Sequence, residues 1–373
     1  MEINILGVNF QLYSISDSFI KYPKAFTECY YSSENEPIHK NVDVFIYEGT
    51  TRSKPVLQEA GVHFSKNLEY WNFNAQIHSN SEDEVSGTWP DKGLWLQFYK
   101  KEFILKIEVV DGYDPLMAGE GIYHALRNLA LYLRQGAYGN LFHGCSVELN
   151  GKAIIFAGHS SAGKTTLMTE SILHHHAFPI SNDRCLITSD SHPKILSWPG
   201  YISYCEGTLM NYATLSSGVT LYENGPYQYK TQSWPYPLKP IFIKTKDSKR
   251  IFPMDWLTVC TGKKYIKSST LNAIVLSNVS PENTDTLCIR KNMKVPGIRE
   301  EIKKEFEQLV FDAHEDAFLP WHGLSLPDGT PRLDDLIDRL ILADVSVWEF
   351  RVSPSNLDSI SILFEKIFHP AFA

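Results

Sequence analysis

Several protein classes are excluded by what this chain does not contain. Its six cysteines (Cys29, Cys145, Cys185, Cys205, Cys260 and Cys288) are scattered, with no C-x-x-C pair and no tight spacing. In a chain of 373 residues that pattern fits a reducing compartment and speaks against a disulfide framework. No uncharged apolar run approaches the roughly 20 residues needed to span a bilayer. The opening Met1-Glu2-Ile3-Asn4-Ile5-Leu6-Gly7 has no basic residue ahead of an apolar stretch and no small-residue cleavage site. The expectation is therefore a cytoplasmic protein with no membrane partner. Basic residues are also in deficit: 35 Lys and Arg against 43 Asp and Glu leave a net charge of −8. A surface built to coat nucleic acid or anionic lipid shows the opposite balance, so no nucleic-acid partner is expected. A local basic site for a phosphorylated ligand is still compatible with that total.

Hydrophobic residues make up 43% and charged residues 21%, which is the composition of a folded globular chain. At roughly 150 residues per domain, the length allows about two domains. Up to about residue 107 the pattern is short β-type runs (3–13, 42–47, 94–110) separated by turn-formers, ending at Asp111-Gly112-Tyr113-Asp114-Pro115. Residues 1–115 thus read as an N-terminal, mainly β lobe, and 116–373 as a second domain. That domain opens with a helix over 121–133, whose Ile122, Leu126, Leu129 and Leu133 form one apolar stripe and which Gly136 and Gly139 end. Strands over 142–149 and 153–157 follow, joined by the hairpin dipeptide Asn150-Gly151. Residues 222–247, dense in Pro, Tyr and Lys, read as a long loop. Further on, 271–276 and 345–352 read as strands, and 295–311, 333–342 and 356–367 as helices.

One segment carries specific chemistry. Gly158, Gly163, Lys164 and Thr165, in Gly158-His159-Ser160-Ser161-Ala162-Gly163-Lys164-Thr165-Thr166, satisfy G-x-x-x-x-G-K-[ST] after an apolar strand and before a helical pattern. Small residues let the backbone wrap a phosphate, and a helix starting near Lys164 adds the partial positive charge of its N-terminus. Lys164 supplies a full charge at the β- and γ-phosphates, and the Thr165 hydroxyl is placed to reach Mg²⁺. Nucleotide phosphate is the expected ligand, with Gly158 through Thr166 as its contacts. About one helix later, Ser181-Asn182-Asp183-Arg184 falls between two strands. Asp183 at a strand end is a candidate Mg²⁺ ligand or proton acceptor.

Leu141-Phe142-His143-Gly144-Cys145, a hairpin, the phosphate loop, then Ser181-Asn182-Asp183-Arg184 is similar to the catalytic core of HPr kinase/phosphorylase and its kinase relatives. Those relatives include kinases that act on peptide precursors in biosynthetic clusters. The resemblance is good over 125–186 and weaker through Trp198-Pro199-Gly200, Gly207-Thr208-Leu209 and 271–281. It implies an α/β (mixed α+β) fold with a phosphoenolpyruvate carboxykinase-like P-loop core. It further implies an ATP- (or GTP-) and Mg²⁺-dependent kinase acting on a hydroxyl of a peptide, protein or small molecule. His143 then stands near the γ-phosphate, Thr165 and Asp183 hold the metal, and Asp183, Lys164, His143 and Asn182 form the catalytic set. Asn182 departs from the family's Asp-Asp pair, and an amide cannot accept a proton at neutral pH. Either Asp183 acts as base, or the chain is a nucleotide-binding regulatory protein or an ATPase without phosphoryl transfer. The acceptor, the preference between ATP and GTP, and homo-oligomer formation stay open.

Other residues read more plainly. His159 is expected to face solvent, and His174-His175-His176, consecutive at a helix end, point apart and make a poor zinc site. Lys244, Lys246, Lys249 and Arg250 are expected on a solvated loop, with a clamp for an acidic substrate as the sharper alternative. Glu206 is a lesser candidate for Mg²⁺, and Trp198, Trp234, Trp256 and Trp321 read as core or loop anchors.

Overall fold

The computed structural model describes residues 1–27, 40–49, 64–70, 73–79, 81–133, 139–198, 200, 202–223, 249–252, 254–311 and 333–369. Gly136, Pro199, Trp234, Trp321, Lys244, Lys246 and most of the expected 222–247 loop lie outside the described residues. None of the described helices is long and apolar enough to cross a membrane. The chain is a mixed α/β protein with two mixed sheets, divided into two compact units at residues 136–137.

The first unit holds one eight-stranded sheet in the order β1-β2-β3-β8-β7-β6-β5-β4. Its strands are β1 (Glu2–Ile5), β2 (Val8–Ser14), β3 (Lys40–Gly49), β4 (Phe64–Tyr70), β5 (Phe73–Ser79), β6 (Glu84–Trp89), β7 (Leu94–Tyr99) and β8 (Ile104–Val110). The run expected over 3–13 is a hairpin, turning at Leu6 and Gly7 with φ of 54° and 78°. That over 94–110 is a second hairpin, β7–β8. Period-two alternation buries Val42, Val44 and Ile46 on β3 and Leu105, Ile107 and Val109 on β8. Helix α1 (Asp17–Thr27) was not expected, because Pro23 lies inside it and proline normally ends a helical pattern. Helix α2 (Pro115–Leu133) starts six residues earlier than its apolar stripe suggests, with Pro115 in the first turn, where the missing N–H costs nothing. Ile122, Leu126, Leu129 and Leu133 are all buried. The helix packs on α1, β1, β2 and β7, so the first unit extends past residue 115.

The second unit is built on a ten-stranded sheet. Its strands are β9 (Gly139–Phe142), β10 (Gly144–Leu149), β11 (Lys152–Ala157), β12 (Phe178–Ser181), β13 (Cys185–Thr188), β14 (Lys194–Ser197), β17 (Ser268–Val279), β18 (Leu287–Lys291), β19 (Val310–Phe311) and β20 (Ser346–Val352). A separate antiparallel pair is formed by β15 (Ile202–Cys205) and β16 (Lys249–Phe252). The helices are α3 (Lys164–His174), α4 (Glu206–Asn211), α5 (Ala213–Glu223), α6 (Met254–Thr261), α7 (Pro296–Glu307), α8 (Leu333–Leu342) and α9 (Ile360–Phe368).

Strands β11, β17 and β20 run parallel at the centre, with β10 returning antiparallel to β11 through Asn150 and Gly151 at φ of 54° and 75°. Ile155, Ile180, Ile187, Ile274 and Val347 pack against Ile302 and Phe306 of α7 and Leu336 and Leu340 of α8. Two expectations need correcting. The single strand over 142–149 is broken at His143, because β9 pairs with β13 and β19 whereas β10 pairs with β11 and β12. The helix expected over 295–311 stops at Glu307, and Val310–Phe311 pairs with β9 instead.

Candidate functional site

Strand β11 is buried from Ala153 to Ala157 and lies parallel to β17, so the chain emerges at Gly158 on the carboxyl edge of two parallel strands. Open α/β sheets place ligands at that edge. Two glycines are needed here. Gly158 has φ of 142°, and a Cβ on it would lie 2.9 Å from Ala162 Cβ and 3.0 Å from the Ser277 carbonyl oxygen. Gly163 has φ of 81°, and its Cβ would come within 2.4 Å of the Val279 side chain. Between them the Ala162 N–H donates to the His159 carbonyl at 3.1 Å, and the Val279 N–H donates to the Ala162 carbonyl at 3.1 Å. The loop is thereby tied to the end of β17.

Gly163 is the N-cap of α3 and no side chain caps it, so the first-turn amides at Lys164, Thr165 and Thr166 have no intrahelical acceptor. Lys164 is buried, and its Nζ donates to the carbonyls of Gly158 and His159, both at 2.8 Å. A full positive charge thus sits within the span of the loop. His159, Ser160 and Ser161 face solvent, and His159 Nε2 lies 3.7 Å from Glu305 Oε2 on α7.

The turn between β12 and β13 stands beside this loop. Ser181 pins it, donating to the carbonyl of Arg184 at 2.5 Å and accepting from the Trp198 N–H at 3.0 Å. Its two polar residues go to different places. Asn182 is buried, and its Oδ1 lies 3.4 Å from Thr165 Oγ1 and accepts from Cys145 Sγ at 3.1 Å. Asp183, at φ of 66°, turns outward with its side chain 62% exposed. Its Oδ1 is 3.4 Å from His143 Nε2 and its Oδ2 is 3.8 Å from Arg184 Nε. The break at His143 is held from both sides: its N–H donates to the Leu309 carbonyl at 2.7 Å, and the Gly144 N–H donates to the Asp183 carbonyl at 3.1 Å.

His143, Lys164, Thr165, Asn182 and Asp183 therefore come together at one sheet edge with the loop from Gly158 to Thr166. Thr165 Oγ1 and the Asp183 carboxylate are hard oxygen donors, while Asn182 Oδ1 already accepts from Thr165 and Cys145. Mg²⁺ takes one or two such protein groups and fills its remaining positions with phosphate and water, so the donor set fits that cation. Cys145 does not join as a thiolate, since burial pushes its thiol up despite the nearby Lys164 charge.

Three features escaped sequence reasoning. Cys145 is one; only its period-two spacing from His143 hinted that it faces the site. The contacts of Glu305 with His159 and of the Leu309 carbonyl with the His143 N–H are another, and nothing local signals them. The third is Arg250, which is not solvated: it is buried and ion-paired with buried Glu206, which corrects the reading of the basic cluster at that one residue and commits Glu206 to an arginine. His174, His175 and His176 diverge: His175 meets Phe364 edge-on at 5.4 Å, and His176 has φ of 60°. Trp198 and Trp256 are buried anchors.

No protein-family model matches this chain, and no curated protein sequence matches it significantly.

Proposed function

We propose that the chain is an ATP- and Mg²⁺-dependent kinase of the HPr kinase-like type, with a phosphoenolpyruvate carboxykinase-like core, acting on a hydroxyl of a peptide, protein or small molecule. The observation that carries this reading is the juxtaposition of the Gly158–Thr165 loop with the turn carrying Asn182 and Asp183. Lys164, released from the Gly158 and His159 carbonyls, is in position to meet the terminal phosphates, alongside the amides opening α3. Bound Mg²⁺ supplies charge neutralisation on the phosphoryl oxygens. Asp183, in solvent beside His143, accepts the proton of the acceptor hydroxyl as that oxygen attacks the γ-phosphorus and ADP departs. His143 holds the carboxylate in place. Such catalysis is mostly positioning and electrostatics, so few specialised groups are required.

A nucleotide-binding regulator without transfer is favoured by one feature, Asn182. Incubation with γ-labelled ATP and a panel of hydroxyl acceptors separates the two. Label should move to an acceptor in the wild type and fall about a hundredfold or more in Lys164→Ala and Asp183→Asn. Undiminished transfer in both variants refutes the assignments. Binding without turnover that Asn182→Asp does not restore selects the regulator.

A further inference from the structure

Three groups from three elements close a triangle under the phosphate loop. Cys145 Sγ of β10 lies 3.1 Å from Asn182 Oδ1 and 3.6 Å from Thr165 Oγ1, and Thr165 Oγ1 lies 3.4 Å from Asn182 Oδ1. Cys145 and Asn182 are both buried, and neither brings a charge to the triangle as a neutral thiol and an amide. A hydroxyl that donates its proton to one neighbour keeps its lone pairs for another. With Thr165 donating to Asn182, those lone pairs are free for a cation on the phosphate side of α3.

We infer that Cys145 is a positioning residue for the cation site: its S–H fixes the Asn182 amide with Oδ1 toward Thr165, and that amide orients the Thr165 hydroxyl for the metal of a bound metal–nucleotide complex. The inference rests on the nucleotide reading above. Its logic is that of any group behind a metal ligand, where loss of the supporting hydrogen bond weakens the metal and leaves the fold standing. Ser in place of Cys145 keeps an O–H donor of similar size. Ala removes the donor, and with it the S–H contact that favours Oδ1 over NH₂ on the side facing Thr165.

The test is calorimetric titration of the full chain with ATP, with and without Mg²⁺. The quantity read is the gain in nucleotide affinity that Mg²⁺ confers. Cys145→Ala should cut that gain about tenfold, leave Mg²⁺-free ATP affinity within about twofold, and be rescued by Cys145→Ser. Asn182→Leu, isosteric and without an acceptor, should lose the same gain, and adding Cys145→Ala to it should cost nothing more. This pair keeps the test open should either single variant fold poorly. An unchanged Mg²⁺ gain in Cys145→Ala, equal losses with and without Mg²⁺, or additive losses in the double variant overturns the inference. Wild-type protein that takes up no nucleotide under either condition sinks the nucleotide reading itself, and this inference with it.

Discussion

The buried pair Glu206–Arg250 gives a prediction that does not depend on any ligand. Glu206 opens α4 and Arg250 sits in β16, with side chains 1% and 5% exposed. In water such a pair at 4 Å is worth about 1 kcal/mol. Here the larger quantity is what remains when one partner is removed. Arginine cannot shed its proton in a protein, so Glu206→Leu leaves a buried guanidinium without its Glu206 carboxylate, on a strand whose residue 250 pairs with buried Tyr204. Breaking a buried pair in this way costs about 3–5 kcal/mol. Replacing both partners by apolar groups removes the buried charge as well, so Glu206→Leu/Arg250→Met should lie within about 1 kcal/mol of wild type. Urea unfolding followed by tryptophan fluorescence measures both variants. Trp256 stacks on Phe252 at 3.8 Å and reports on this region directly. At a slope of about 1–3 kcal/mol per molar, the single variant should lose at least about 1 M in midpoint. A loss below about 1 kcal/mol for Glu206→Leu, or a double variant no more stable than the single, would refute the reasoning.

Two further outcomes follow from local geometry. Gly163→Ala combines an unfavourable φ with a Cβ 2.4 Å from Val279, and should cost about 2–4 kcal/mol together with nucleotide affinity, measured by unfolding and titration. Gly262→Ala, at φ of 68° with nothing within 4 Å, is the control and should cost only about 1 kcal/mol. Burial lowers the pKa of His175 from its ordinary 6.5, so the folded state favours the neutral ring while the unfolded chain takes up a proton below that pH. Its contribution is therefore full above pH 6.5 and is lost as pH falls from there toward the depressed folded value. His175→Phe, which keeps the contact with Phe364, should flatten that decline when unfolding midpoints are compared on either side of pH 6.5, and equal slopes would refute it.

Where the chemistry is local, the chain could be read directly. The loop from Gly158 to Thr165 could be placed because close backbone approach at Gly158 and Gly163 admits only glycine, and the flanking strand and helix carry their own periods. Helix α8 and strand β20 likewise follow from period alone. The break at His143 could not be read, since the strands that divide its neighbours, β13 and β19, come from residues 185–188 and 310–311. Helix α7 was overextended for a similar reason: Phe306, Leu309 and Val310 keep a helical spacing, and only pairing with β9 turns Val310 into a strand residue. Arg250 reads as a loop cation until Glu206, 44 positions earlier, is seen opposite it.

The division between Asn182 and Asp183 has a physical logic of its own. Position 182 is 3% exposed and faces a hydroxyl and a thiol. A carboxylate there would be desolvated whenever no cation stood beside it, and an isolated buried charge is costly. An amide occupies the same place as a neutral acceptor, so the fold bears no such penalty in its resting state. The carboxylate of the turn is placed one residue later, where a φ of 66° swings it into solvent beside His143 and Arg184 and water supports its charge. Lys164 completes the pattern, its ammonium held by two backbone carbonyls at 2.8 Å. A site arranged in this way is stable before its ligand arrives. On the proposed nucleotide reading, an anionic ligand and its cation would bring the charges that the buried positions leave out.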